Sequence, residues 1–307
     1  MRLEIQDLFA HKKTLISVST YKRTSDLKRL VDSVAPQLNC GSCQLLVVDN
    51  SPDADAMSFV HSLGPICQYV HEPLPGIAAT RNQGLRIAEE GNYDYLIFLD
   101  DDEWVSTDWH NQIIAVGNET NEGVVVGPVR TVYTDETPMW IKRYGFHQRV
   151  MLAEGAHPRS TATHNTLLKV NQWRLAGSIQ FDDDFSFTGG SDSDFFARLS
   201  DRGVKIYYTR RAVVFEFVPE NRASMSWLTK RGLRVGAVHA RIRLRSEPRS
   251  KLIAGGILRA LKGLLLLPLD ITLRKQRVAE SYATFLRGVG MFLQGIGIFR
   301  FEEYSRK

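Results

Sequence analysis

Along the first hundred residues, apolar positions switch between short unbroken runs and a 3.6-residue spacing, the alternation expected of buried strands and amphipathic helices. The run TLISVST at 14–20 predicts a buried strand that ends in the polar loop Tyr21-Lys22-Arg23-Thr24. Leu27, Leu30, Val31 and Val34 then share one helical face, with Thr24 or Ser25 expected as the cap. A second strand at 44–48 ends at Asp49-Asn50, and a helical stretch carries Met57, Phe59, Val60 and Leu63. A short strand at 68–71 leads into Pro73-Leu74-Pro75-Gly76, residues 77–89 read as a helix, and a fourth strand at 95–99 ends in Asp100-Asp101-Asp102-Glu103. This β-α-β-α-β-α-β order predicts an α/β fold, a Rossmann-like, mostly parallel sheet with helices on both faces. Ligands of such sheets bind beyond the carboxyl ends of the strands, where Thr20, Tyr21, Asp49 and the acidic run all fall.

Past the acidic run the pattern loosens. Residues 124–129 read as a strand, 137–147 as an aromatic, irregular segment, and Gly189-Gly190-Ser191-Asp192-Ser193-Asp194 as a polar turn opening a helix with Phe195, Phe196 and Leu199. Segments 205–209 and 212–218 read as β. From there the chain turns basic: Arg241, Arg243, Arg245, Arg249 and Lys251 precede an apolar stretch at 252–273. Arg259, Lys262 and Asp270 interrupt that stretch, so no run is expected to be long enough to span a bilayer. Ile253, Ile257, Leu261, Leu264 and Leu265 are placed on one helical face, which predicts a basic amphipathic helix lying in a membrane interface. A second such stretch, 281–299, is broken by Arg287. The expected organisation is an N-terminal arm at 1–13, an α/β domain at 14–220 with halves at 14–103 and 104–220, and a basic helical, membrane-associating tail at 221–307.

Charge supports that division. The 307 residues hold 39 Lys+Arg and 34 Asp+Glu, a net of +5. Residues 222–307 hold 18 basic and 5 acidic side chains, +13, which leaves 21 and 29, or −8, for the rest. An acidic body with a basic tail points to an anionic partner, either a membrane surface or nucleic acid. Nucleic acid is not expected as a partner, because the aromatics are not interleaved with the basic residues as a stacking platform requires. Three cysteines, Cys40, Cys43 and Cys67, fall short of the four ligands of a structural zinc and are expected to be reduced thiols. Residues 1–13 are mixed polar and lack a secretory-type apolar core.

The chemistry concentrates in the acidic run. Adjacent carboxylates at the end of a buried strand repel one another unless a cation relieves them, and oxygen ligands at this density suit Mg2+ or Mn2+. Strand alternation would put Asp100 and Asp102 on one side, where one or both could reach a metal. Arg23 and Arg81 are candidates to hold phosphate oxygens. Asp192, at a helix start where amides favour an ionised carboxylate, is a candidate proton acceptor, and Asp194 competes with it. Two enzyme classes use paired carboxylates and a metal in this way. A nucleotidyltransferase would carry a glycine-rich loop after the first strand. Ser19-Thr20-Tyr21-Lys22-Arg23 has no glycine, which counts against that alternative.

The motifs TLISVSTYKR, LLVVDNS, GIAATRNQGL, FLDDDEW and GGSDSDFFARL, in this order, resemble a family 2 glycosyltransferase of GT-A fold. The likeness runs from about Thr14 to His239 and includes VVGPVR and VPENRASMSWLTKRGLRVG. It implies inverting transfer of a hexose, with glucose suggested, from a UDP-sugar. The acceptor it implies is a lipid-linked oligosaccharide of cell-surface polysaccharide synthesis, at the cytoplasmic face of the inner membrane. The halves become a donor half, 14–103, and an acceptor half, 104–220. Carried over position by position, Thr20, Tyr21 and Asp49 line the nucleoside site, with Arg81 in support. Asp100 and Asp102 are the implied D-x-D pair, with Asp101 a close competitor, and Asp192 is the implied general base. Ser191 stands where the family has Glu, and Phe215 stands where relatives carry a histidine near the metal. Water, Glu216 and His239 are the candidate replacements. Trp140, Trp173 and Trp227 are candidates to stack on sugar rings.

Overall fold

The structure, a computed structural model, describes residues 12–38, 41–186 and 188–298. Cys40 and the ends of the chain, with the arm at 1–11 and the last part of the tail, lie outside the described residues. The chain divides into two compact units, one made of 1–130, 150–186 and 191–216, the other of 131–149, 187–190 and 217–307.

The first unit is built on β1 (Thr14–Thr20), α1 (Thr24–Val34), β2 (Cys43–Asp49), α2 (Met57–Ser62), β3 (Cys67–His71), α3 (Ile77–Glu90) and β4 (Tyr95–Asp100). These are the predicted elements, and they fall where the hydrophobic pattern put them. One detail differs. The cap position of α1 is Arg23, which makes no side-chain cap bond, so neither Thr24 nor Ser25 caps the helix. Arg23 is instead engaged with the acidic turn, as described below.

The next elements are β5 (Glu103–Val105), α4 (Trp109–Glu119), β6 (Val124–Val126), β7 (Val129–Val132), α5 (Met139–Tyr144), β8 (Thr166–Lys169), α6 (Val170–Leu175), α7 (Ser191–Asp201), β9 (Ile206–Tyr208) and β10 (Val214–Phe217). The expected strand at 124–129 is two strands, divided at Gly127-Pro128, where the proline removes a ladder donor. The segment read as irregular at 137–147 contains a helix, α5.

The main sheet has the order β3-β2-β1-β4-β8-β6-β9, and β5-β10-β7 form a small second sheet. In the main sheet β1, β2, β3 and β4 run parallel, as do β6 and β9, while β8 is antiparallel to both neighbours. Side-chain alternation divides each central strand between two cores. Ile16, Val18, Val47, Ile97 and Leu99 face one layer, with Leu27 and Leu30 of α1 and Trp109 and Ile113 of α4. Leu15, Leu46, Val48, Leu96 and Phe98 face the other, with Leu85 of α3 and Phe195 and Phe196 of α7. Burial on both faces makes β1, β2 and β4 nearly continuous apolar runs. Each fully buried Leu or Phe contributes about 1.5–3 kcal/mol to this arrangement.

The second unit holds three long helices, α8 (Met225–Arg243), α9 (Arg249–Leu273) and α10 (Val278–Gly295). Ile141, Phe146 and Val278 form a small core there with Trp140, Tyr133 and Tyr282. α9 overturns one expectation. Its charges do not interrupt it: it is one helix of 25 residues, long and apolar enough by length and composition to cross a membrane. Asp270 is accommodated because its carboxylate is buried and accepts a hydrogen bond from Ser281 of α10. Ile253 also departs from the expected face. It is half-buried, while Ile257, Leu261, Leu264 and Leu265 are exposed.

Candidate active site

The carboxyl ends of β1, β2 and β4 carry Thr20, Asp49 and Asp100 side by side, since Thr20 is in register with Asp49 and Ser19 with Asp100. β4 stops at Asp100, and Asp101-Asp102 form a turn before β5. The strand alternation that would have aligned Asp100 with Asp102 therefore ends one residue too early. What holds the turn is Glu103, itself buried, whose Oε2 accepts the Asp100 amide at 3.0 Å.

Within the turn the three aspartates differ. Asp101 is only 5% exposed; its Oδ2 accepts from Thr20 Oγ1 at 2.9 Å and its Oδ1 from Arg23 Nη1 at 3.2 Å. The same Arg23 nitrogen donates to Asp102 Oδ2 at 3.2 Å. Burial pushes the Asp101 carboxyl up to about 7, with the charges of Asp102 and Asp100 adding to that; Arg23 and the Thr20 hydroxyl oppose it. Burial lowers the Arg23 guanidinium, but Asp101 and Asp102 outweigh it, and the net direction is upward. Asp100 and Asp102 are the more open carboxylates, and Arg81 Nη2 lies 3.9 Å from Asp100 Oδ1.

Arg81 is otherwise enclosed. Its guanidinium lies over the Phe181 ring, 5.6 Å from the centroid. Phe181 is a hub that sequence reasoning missed. It meets Phe98 of β4 edge-on at 5.8 Å, stacks on Phe195 of α7 at 3.9 Å, and exchanges both backbone hydrogen bonds with the Asn82 side chain. α7, which carries Asp192, is tied through this ring to the strand and helix that carry Asp100 and Arg81. Asp192 is half-buried at the second residue of α7, and its Oδ1 accepts the Ser193 amide at 2.7 Å. Asp194 is fully buried and pairs with Arg198 at 2.7 Å, so of the two competitors Asp192 is the one open to a ligand.

Asp49 reaches the expected level but not an open position. Its carboxylate is fully buried: Oδ1 accepts from the Ser51 amide and hydroxyl, and Oδ2 from the Ala56 amide and Tyr69. As folded, it shapes the loop after β2 rather than presenting oxygens to a ligand. Its neighbour Asn50 is a second missed residue. The Asn50 side chain donates to the carbonyls of Glu72 and Leu74 and accepts the Gly76 amide, while Glu72 accepts from the Leu74 amide and from Gln83. Gly76 has φ +130°, and a Cβ there would stand 2.7 Å from Ser186. Tyr21 is exposed at the tip of the loop after β1, followed by Lys22 at φ +53°.

Phe215 stacks on Trp104 at 5.6 Å, and Arg29 lies over the same indole, so an aromatic layer stands at the position where relatives carry a histidine. Glu216 pairs opposite Glu103 in the small sheet. Trp173 is core: it is buried, and its indole nitrogen donates to the Ile179 carbonyl. Trp227 stacks on His147 and Trp140 meets Phe146, both within the second unit. Cys43 and Cys67 are free thiols, both pushed up to about 12 by burial.

The acidic turn fits a hard divalent cation in one respect: a cation, the Arg23 guanidinium, already bridges two of its carboxylates. Among the described residues no group of three or more His, Cys, Asp or Glu is arranged to hold a metal unaided. A divalent cation at this turn would need further oxygens, from a diphosphate or water.

A family model described as glycosyl transferase family 2 matches residues 16–171. The succinoglycan biosynthesis protein ExoM of Rhizobium meliloti (strain 1021) is 34% identical over 234 residues, covering 74% of this chain and 74% of that protein. Among solved structures, S. aureus TarS 1–349 in complex with UDP-GlcNAc superposes with a TM-score of 0.53 at 12% identity, over 91% of this chain and 89% of that one. A second S. aureus TarS structure gives a TM-score of 0.54 at 12% identity, over 96% and 56%. At this identity the structural likeness concerns the fold.

Proposed function

On the premise that the chain belongs to glycosyl transferase family 2 and is a glycosyltransferase of GT-A fold, we propose that it moves a hexose, with glucose the first choice, from a UDP-sugar to a lipid-linked oligosaccharide. The observation that carries this reading is the acidic turn at the end of β4, fastened to β1 by Thr20 and bridged by Arg23. It faces the level at which open α/β sheets bind ligands. The likeness to a succinoglycan biosynthesis protein supports a place in exopolysaccharide assembly. The basic tail supports a site of action at the cytoplasmic face of the inner membrane, with the protein held there peripherally.

In the proposed reaction an acceptor hydroxyl attacks the anomeric carbon from the face opposite UDP. The new C–O bond forms as the bond to the β-phosphate oxygen breaks, and that electron pair leaves with UDP. Asp192 takes the hydroxyl proton. Single displacement inverts the anomeric centre. Asp100 and Asp102 would hold Mg2+ or Mn2+, which when bound supplies charge stabilisation to the leaving diphosphate. Arg23 and Arg81 add positive charge beside the same oxygens. Tyr21 flanks the nucleoside, and Asp49 acts on it through the loop it holds.

A screen of radiolabelled UDP-sugars tests the reading. Metal-dependent UDP release is expected with UDP-glucose, enhanced by membrane extract containing lipid-linked oligosaccharides. Turnover of nucleoside triphosphates with pyrophosphate release, and none of any UDP-sugar, would instead assign a nucleotidyltransferase.

A further inference from the structure

α9 and α10 are packed inside out. Where they meet, the residues are glycines: Gly256 faces the Phe292 backbone, Gly263 the Phe285 backbone, and Gly288 the Ala260 backbone. A Cβ at any of the three would stand within 2.7 Å of a main-chain atom. α8 meets α10 in the same manner, through Gly236 against Arg287 and Gly290 against Leu233. Leu252, Leu286 and Met291 are buried in the bundle, but most of the large side chains of α9 point outward. Leu258 is 68% exposed and Leu265 is 75% exposed, with Leu261 and Leu264 between them. A bundle stabilised by water does the opposite, placing leucine between helices and polar groups outside. Small residues between helices with leucines outward is the packing helices adopt where the surroundings are themselves apolar.

The exposed leucines form one stripe. At 100° per residue, Leu258, Leu261, Leu265, Pro268 and Leu269 fall within one third of the helix circumference, opposite Leu252, Gly256, Gly263 and Asp270, which are buried. The stripe runs from 258 to 269, about 17 Å of a helix that is about 37 Å long at 1.5 Å per residue. Its flank is basic. Residues 249–298 hold eight Lys and Arg side chains against Asp270 and Glu280, and Asp270 is already bonded to Ser281. Cations stand at both ends of α9, Arg249 and Lys251 at one, Arg274 and Lys275 at the other, and Arg259 and Lys262 stand midway. A helix crossing the bilayer would carry Arg259 and Lys262 to its centre. A helix lying in the plane of the interface lets the cations beside the stripe, such as Lys262, reach the lipid phosphates instead.

We propose that the leucine face of α9 is a lipid-binding surface, embedded lengthwise in the acyl region of an anionic bilayer, with α8 and α10 backing it. This rests on the membrane location proposed above and sharpens it: apolar burial holds the protein in place, and the cations only recruit it.

Sedimentation of the full chain with sucrose-loaded vesicles, of phosphatidylcholine alone or mixed equally with phosphatidylglycerol, tests this. The protein is expected to pellet with the mixed vesicles and to stay bound through a wash in about 1 M salt, where surface charge is screened. Replacing Leu258, Leu261 and Leu265 together by glutamate is expected to reduce pelleting by about tenfold or more. Because these side chains are exposed, the melting temperature and UDP affinity of that variant should be unchanged. A Leu265→Trp variant should shift its emission to the blue on mixed vesicles. Release of the wild-type chain by the salt wash would overturn the proposal, as would pelleting of the triple variant like wild type. A soluble oligomer that ignores both vesicles would assign the face to a second copy of the chain instead. UDP-sugar hydrolysis in vesicle-free buffer is read separately, so failure of the donor chemistry is distinguishable from failure of the lipid surface.

Discussion

Asp101 is the residue on which the acidic turn depends, because it is buried between two more open carboxylates and fastened to Thr20 and Arg23. Its carboxyl is pushed up to about 7 from an ordinary value of 3.8, first by burial. Between those values the folded protein holds a proton that the unfolded chain has released. Linkage then makes stability fall as pH rises through that window and level off above about 7. Urea melts in EDTA at pH 5 and pH 8 should show that decline, and Asp101→Asn should flatten it. The outer carboxylates are predicted to behave differently. Asp102→Ala should abolish metal-dependent UDP binding and transfer without lowering the melting temperature. Asp192→Asn should cut transfer by about 10²–10⁴-fold, the range for loss of a general base, while UDP affinity persists. Near-normal transfer by the Asp192→Asn enzyme removes Asp192 from that role.

At the scale of elements, the loop from β3 to α3 is as much a part of the site as the strand ends. Asn50 replaces what a turn would do for itself, satisfying the Glu72 and Leu74 carbonyls and the Gly76 amide at once. Asn50→Ala leaves those buried groups unpaired and is expected to cost about 1–3 kcal/mol. Urea denaturation measures this, together with a raised KM for the UDP-sugar. Gly76→Ala should be at least as harmful, since φ +130° and the nearby Ser186 side chain both oppose a Cβ. None of this was legible in the sequence, where Asn50 was one letter of a motif and Glu72 a residue before a proline. Legibility followed how an element is buried. β1, β2 and β4 are covered on both faces and announce themselves as apolar runs. α1 buries one face and shows its period. β5 has three residues, too short for any period, whereas β6 and β9 lie inside the segments read as β at 124–129 and 205–209. β8 and α6 adjoin without a break, so neither pattern completes before the other begins. The carboxylates were legible because chemistry requires their type. Which of them is buried was not, because that depends on where β4 stops.

For the molecule as a whole, the uneven charge and the uneven apolar surface act at different moments of one event. The stretch 222–307 carries +13 and the remainder −8, so a negatively charged bilayer attracts one part of the chain and repels the other before any contact is made. Those forces are long-range and screened within about 10 Å at ordinary salt, so they govern the rate of arrival. The leucines of α9 act only on contact and respond little to salt, so they govern departure. Stopped-flow mixing with phosphatidylglycerol-containing vesicles should therefore show association slowing by about tenfold or more as salt rises from tens to hundreds of millimolar. The dissociation rate should change little over the same range. Reversing the two mid-helix cations, Arg259→Glu with Lys262→Glu, should reproduce the effect of high salt on arrival. Replacing Leu261 and Leu265 by glutamate should speed departure at every salt concentration. Salt dependence confined to dissociation would mean that charge, rather than the leucine stripe, holds the protein on the surface.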